Sequence, residues 1–121
     1  MTPVITTEQL KKVIDSQGKY TLIDVREKEE LPYGMIPTAK NIPFTEFEEA
    51  WELDNTSFQK KYGFPKPKKE DNLIFHCRTG GRSAQATAFA ISEGYHATNY
   101  QGSIWEWSLI DKNVKRYGSG S

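Results

Sequence analysis

Cys77 is the only cysteine in 121 residues, and the residues around it suit a nucleophile. Leu73, Ile74 and Phe75 read as a buried strand running into His76 and Cys77. Arg78, Thr79, Gly80, Gly81 and Arg82 make a tight loop, and a helical pattern begins at Ser83. A strand, a Gly-rich loop and a helix start together form a cradle for an anion. Backbone N–H groups turn inward there, and the helix adds unpaired donors and the positive end of its dipole. Phosphate sites use the same physics, but here the residue at the strand end is a thiol. A free cysteine has a pKa of about 8.5, which drops by several units at a helix N-terminus beside arginine. The spacing therefore points to Cys77 as nucleophile and to Arg78, Thr79, Gly80, Gly81, Arg82 and Ser83 as the anion-binding loop. Gly80 and Gly81 permit the turn without a Cβ penalty.

A lone cysteine after an apolar strand is otherwise a small buried hydrophobe, and the Arg-Thr-Gly-Gly-Arg that follows is what argues against that. His76 lies one residue earlier and should point to the opposite face of the sheet, in a packing or hydrogen-bonding role rather than as a base. With only His76 and His96 available, a triad or a metal site has little material, so no metal is expected.

Several elements must position that loop. Val4-Ile5 reads as a short first strand. Thr6 and Gln9 have capping-box spacing, and Leu10, Val13 and Ile14 then share a helical face that ends at Gly18. Tyr20 to Val25 reads as a central strand, with Asp24 near its end and Arg26 and Glu27 on the loop side. Glu27 to Tyr33, broken by Pro32, is expected as a loop or a single helical turn. Gly34 to Pro43 should turn into a short strand near Lys40 to Ile42. Thr45 with Glu48 predicts a second capping box, opening a helix through Trp51, and another helix should run from Ser57 to Tyr62 and stop at Gly63. Pro65 and Pro67 make an extended surface connection.

Beyond the cysteine loop, Ala84, Ala86, Ala88 and Ala90 give a small-residue helix capped by Gly94. A strand over Ala97 to Tyr100, a turn at Gly102-Ser103 and a last helix over Ile104 to Ile110 follow, with Trp105 and Trp107 assigned to core packing. Alternating strands and helices imply a mainly parallel sheet covered on both faces, which binds ligands at the carboxyl ends of its strands. Asp24 to Arg26 and His76 to Arg78 should therefore meet on one rim, where Asp24 and Arg26 support the loop through hydrogen bonds and an ion pair.

Composition narrows the function classes. At 36% hydrophobic and 26% charged residues the chain can bury one modest core, and residues 1–117 read as one domain. The Gly/Ser run 118–121 reads as a flexible tail of the kind appended in cloning. No apolar run approaches the ~20 residues a bilayer needs, so no membrane partner is expected. A formal net charge of zero argues against nucleic-acid binding, and Lys66, Lys68 and Lys69 read as solvated surface. One cysteine excludes an intramolecular disulfide and suits a reducing compartment. No signal or transit pattern is visible at the N-terminus, giving a cytoplasmic or mitochondrial location as the expectation.

Taken together, Leu22-Ile23-Asp24-Val25-Arg26-Glu27, Gly34-Met35-Ile36-Pro37, Asn41-Ile42-Pro43, Cys77 to Arg82, and Gly102 with Trp107 resemble a single-domain rhodanese. Phe58-Gln59, Lys66-Pro67-Lys68, Gln85-Ala86-Thr87, Gly94-Tyr95 and Asn99-Tyr100 extend the likeness to the small thiosulfate sulfurtransferase/rhodanese-like domain-containing 1 group. The resemblance implies an α/β fold with a central five-stranded, mainly parallel sheet and helices on both faces. It also implies a Cys77 persulfide that moves sulfur from thiosulfate to a glutathione-like thiol, to cyanide or to a thiol-carrying protein, with no organic cofactor. Arg78 and Arg82 would then recognise sulfonate-like oxygens with forked hydrogen bonds. Two positions depart from the family pattern, Met35 where many members have His and Thr38 where they have Gly. Both are expected to alter the rim of the pocket rather than the chemistry.

Two other readings stay open at this level. A cysteine phosphatase or arsenate reductase also places His-Cys before a loop and an arginine, but with one more residue between Cys and Arg than the four found here. A non-catalytic rhodanese module would serve binding or regulation instead, although such modules commonly lack the cysteine.

Overall fold

A computed structural model describes residues 2–118, so the flexibility expected of 119–121 lies outside the described residues. The strands are β1 (Val4–Ile5), β2 (Thr21–Asp24), β3 (Lys40–Asn41), β4 (Asn72–His76) and β5 (His96–Tyr100). They form one five-stranded sheet in the order β1-β5-β4-β2-β3, and every pairing is parallel. The helices are α1 (Thr7–Asp15), α2 (Phe47–Ala50), α3 (Asn55–Tyr62), α4 (Gly81–Ser92) and α5 (Ser103–Trp107), with a 3-10 turn over Lys28–Tyr33.

Side-chain alternation along the strands divides the interior into two cores. Ile23, Val25, Leu73, Phe75 and Cys77 face α2, α3 and α4, meeting Phe47, Trp51, Phe58, Ala86 and Ala90. Leu22 and Ile74 face the other way, toward Leu10 of α1 and Ile104 and Trp107 of α5. The small residues of α4 let that helix sit close to the strand carrying Cys77. No described helix is long and apolar enough to cross a membrane.

Local signals account for most of these elements. Thr6 and Gln9 form the reciprocal capping box expected of them, and Gly63, at φ +80°, ends α3. Four features depart from the expectation. Thr45 does not cap α2; its amide and hydroxyl both donate to the Glu27 carboxylate, and a 3-10 turn over Phe44–Glu46 precedes the helix. Asp54 caps α3 through the Ser57 amide, so that helix begins at Asn55 rather than Ser57. The last helix stops at Trp107, short of Ile110. Thr38 sits just before β3, at the amino ends of the strands, with its hydroxyl 2.8 Å from that of Tyr20. It therefore does not shape the rim beside Cys77. Its φ of +76° is the left-handed conformation that the more usual glycine would adopt without strain.

Candidate active site

Register places the carboxyl ends of β2 and β4 side by side, with Asp24 opposite His76. Cys77 leaves β4 toward α4, and the chain turns back within three residues. Gly80 makes the turn at φ +99°, where a Cβ would run into the carbonyl oxygen of Gln101. Gly81 is not part of that requirement: it opens α4 in helical geometry, two residues earlier than the helical pattern suggested.

The sulfur of Cys77 accepts hydrogen bonds from the Gly80 amide (3.1 Å) and from the Ser83 hydroxyl (3.5 Å). Burial pushes the thiol up. The Ser83 hydroxyl and amide, the Gly80 amide and the charge of Arg82 more than offset that, so the thiol lies below the ordinary cysteine value. The first-turn donors of α4 are thus aimed at a single sulfur atom.

The loop backbone is fixed from three directions. The Cys77 amide donates to the Ser103 hydroxyl (3.1 Å), and the amides of Ile104 and Trp105 donate to the carbonyls of Cys77 (3.2 Å) and Arg78 (2.9 Å). Asn99, buried on β5, donates to the Gly80 carbonyl (3.3 Å). With the carbonyls of Cys77, Arg78 and Gly80 held by α5 and β5, the Gly80 amide is left to face the sulfur.

His76 lies on the face opposite Cys77, close to Tyr100, with Nδ1 3.2 Å from the Cys77 carbonyl. Burial pushes it below the ordinary histidine value against the opposing pull of the Asp24 carboxylate 3.7 Å away, which suits a packing role. Asp24 and Arg26 form a fully buried ion pair at 2.8 Å, with the Arg26 amide also donating to Asp24. The rest of the Arg26 guanidinium donates to the carbonyls of Glu30 and Gly34 and to the Tyr117 hydroxyl. The pair therefore organises the turn after β2 and reaches the cysteine loop through Glu30 and Tyr117.

Both loop arginines are already engaged. Arg82 gives its fork to Glu30, at 2.6 and 2.9 Å, while its buried Nε has no hydrogen-bond partner among the described residues. Arg78 is 4% exposed and donates to the Tyr117 carbonyl (2.6 Å), with its guanidinium 5.2 Å from the Trp105 ring and 5.6 Å from that of Tyr117. Trp105 thus edges the site, and of the two tryptophans of α5 only Trp107 is a core residue.

A rhodanese-like domain model matches residues 6–109, most of the chain. The chain belongs to the rhodanese family.

Human thiosulfate:glutathione sulfurtransferase is 43% identical over 107 residues, covering 87% of this rhodanese and 92% of the relative. A fission yeast protein named as a putative mitochondrial thiosulfate sulfurtransferase is 47% identical over 88 residues, 72% of this chain and 62% of that one. Among solved structures, the human single-domain sulfurtransferase TSTD1 superposes with a TM-score of 0.85 at 40% identity, covering 92% of this rhodanese and 99% of that chain.

Four residues of this rhodanese's site escaped sequence reasoning: Glu30, Asn99, Ser103 and Tyr117. The acidic run Glu27, Glu29, Glu30 after β2 was the one available hint, since a strand-end carboxylate on the same rim is a natural partner for a loop arginine. Nothing local marks Ser103, which has a φ of +54°, unusual for a non-glycine residue, and whose hydroxyl accepts from the Cys77 amide.

Proposed function

We propose that residues 1–117 act as one domain in which Cys77 accepts sulfur from thiosulfate and passes it to a small thiol. The chain is a rhodanese-type sulfurtransferase. The Cys77 thiolate attacks the outer sulfur of thiosulfate, a new S–S bond forms, and the old one breaks with its electron pair leaving on sulfite. Cys77 is then a persulfide anion, Cys–S–S⁻. An acceptor thiolate attacks the outer sulfur, leaving as its own persulfide and restoring the Cys77 thiolate. Cyanide would leave as thiocyanate by the same step.

One observation carries this reading: the lone thiol receives donors from Gly80 and Ser83 at the start of α4, beside the charge of Arg82. Thiolate, persulfide and attacking anion all need such donors, and a fixed cradle supplies them without reorganisation. The unpaired Nε of Arg82 is the proposed contact for donor oxygens. Glutathione as acceptor is supported by the name of the human relative. The fission yeast relative, named as mitochondrial, supports a mitochondrial location with the cytoplasm as the alternative.

Intact mass measures the first half-reaction. Thiosulfate should add one sulfur, about 32 Da, to the wild type and none to Cys77→Ser, and glutathione should remove it. Unchanged mass in the wild type would reject the proposal and favour a binding module.

A further inference from the structure

Sulfur transfer requires a donor to touch Cys77, yet Cys77 has no solvent exposure in this structure. The groove lined by Tyr20, Thr38, Phe64 and Lys66 offers no route, because it lies at the amino ends of the strands. The segment after α5 reaches the residues on either side of the loop. Its chain returns across the strand ends, with Val114 buried and the Lys115 amide donating to the Tyr33 carbonyl (2.9 Å). Gly34, at φ +111°, makes that approach possible, since a Cβ there would run into the Asn113 carbonyl.

Tyr117 ends the crossing in contact with Arg78 and with Glu30, the partner of Arg82. Its ring stacks on Tyr33, with centroids 4.2 Å apart and planes 9° from parallel. Its hydroxyl donates to Glu30 (3.0 Å) and accepts from Arg26 (3.1 Å), while its carbonyl accepts from Arg78. Burial pushes the phenol up to about 12, so it stays a donor to Glu30 at neutral pH. One residue thus touches the partner of Arg82 and occupies Arg78 itself. Most of these anchors are polar or aromatic contacts at the protein's edge, the kind that opens locally without global unfolding.

We propose that Tyr117 is the gate and donor-selecting residue of this site. In the closed form its carbonyl takes the place on Arg78 that a donor oxygen fills in the open form. An anionic donor opens the strap by binding Arg78 more strongly than a neutral carbonyl does, because hydrogen bonds between two charged groups are the stronger ones. A neutral donor of similar size lacks that exchange and is disfavoured. The naming of thiosulfate as donor rests on the sulfurtransferase reading; the closure of the thiol does not.

Alkylation of Cys77 by neutral iodoacetamide, followed by intact mass at pH 9, reads the open fraction independently of sulfur chemistry. Tyr117→Ala should be alkylated about tenfold faster than wild type, and Tyr33→Ala, which keeps Tyr117 but removes its stacking partner, several-fold faster. The KM for thiosulfate should fall in the same order, since apparent affinity scales with the competent fraction. The decision rests on Tyr117→Ala if it keeps the wild-type melting transition, and on Tyr33→Ala if it does not. An alkylation rate equal to wild type in the deciding variant overturns the gate. Faster alkylation together with a wild type that takes no sulfur from thiosulfate keeps the gate and rejects the sulfurtransferase reading.

Discussion

Glu30 and Arg82, 52 residues apart in the chain, meet as a two-pronged ion pair with N–O separations of 2.6 and 2.9 Å. The pair links the turn after β2 to the first turn of α4. Two parallel hydrogen bonds fix the guanidinium plane, and that plane sets where the third nitrogen, Nε, is directed. A lysine could supply the charge without the orientation. The role of Asp24 and Arg26 follows from the same arrangement, since Arg26 holds the Glu30 carbonyl and the Tyr117 hydroxyl that bonds its carboxylate.

Glu30→Gln should cost on the order of 2 kcal/mol at pH 7, measured by urea unfolding, after allowing for the partial exposure of the pair. Burial alone would raise the Glu30 carboxyl, but Arg82, the Glu27 amide and the Tyr117 hydroxyl bring it from 4.5 down to about 2. A lowered carboxyl contributes fully above its unfolded value and loses that contribution as pH falls through its folded one. The difference between wild type and variant should therefore be constant above about pH 5 and shrink toward pH 2. A pH-independent difference would show that charge is not the cause.

Ser83→Ala should move the Cys77 titration upward, because two of the groups lowering it are the Ser83 hydroxyl and amide and the variant keeps only the amide. The pH dependence of iodoacetamide alkylation reports the midpoint, and the wild-type value should lie below that of a free thiol, about 8.5. Sulfur transfer at neutral pH should slow in parallel as the thiolate fraction falls.

Gly80→Ala should destabilise the protein by about 2 kcal/mol or more and abolish sulfur uptake. The new Cβ meets both a φ of +99° and the Gln101 carbonyl, and relief moves the amide that donates to Cys77. Gly81→Ala should be far milder, because that residue is helical and exposed. Thermal unfolding of the two variants separates these cases.

Thr38→Gly should raise stability by about 0.5 kcal/mol, the relief of a β-branched residue from φ +76° exceeding the entropy that glycine adds to the unfolded chain. Sulfur transfer should not change, since Thr38 lies at the opposite end of the sheet from Cys77. A loss of stability would mean that the Tyr20 contact outweighs the strain.

The elements and the nucleophile were legible because they rest on neighbours in the chain. A capping box spans three residues, strand alternation assigns Cys77 and His76 to opposite faces, and the cradle from Cys77 to Ser83 is one continuous stretch. Where a distant partner competes, as Glu27 does for Thr45, the local reading failed. The environment of the thiol belongs to the tertiary structure. Ser103 on the Cys77 amide, Asn99 on the Gly80 carbonyl, Glu30 on Arg82 and Tyr117 on Arg78 each bridge 19 to 52 residues. No periodicity encodes such pairs, because they form only when a parallel sheet brings the ends of separate strands to one rim. The amino-acid sequence by itself determined which atom reacts; packing across that rim decided how the atom is charged, held and covered.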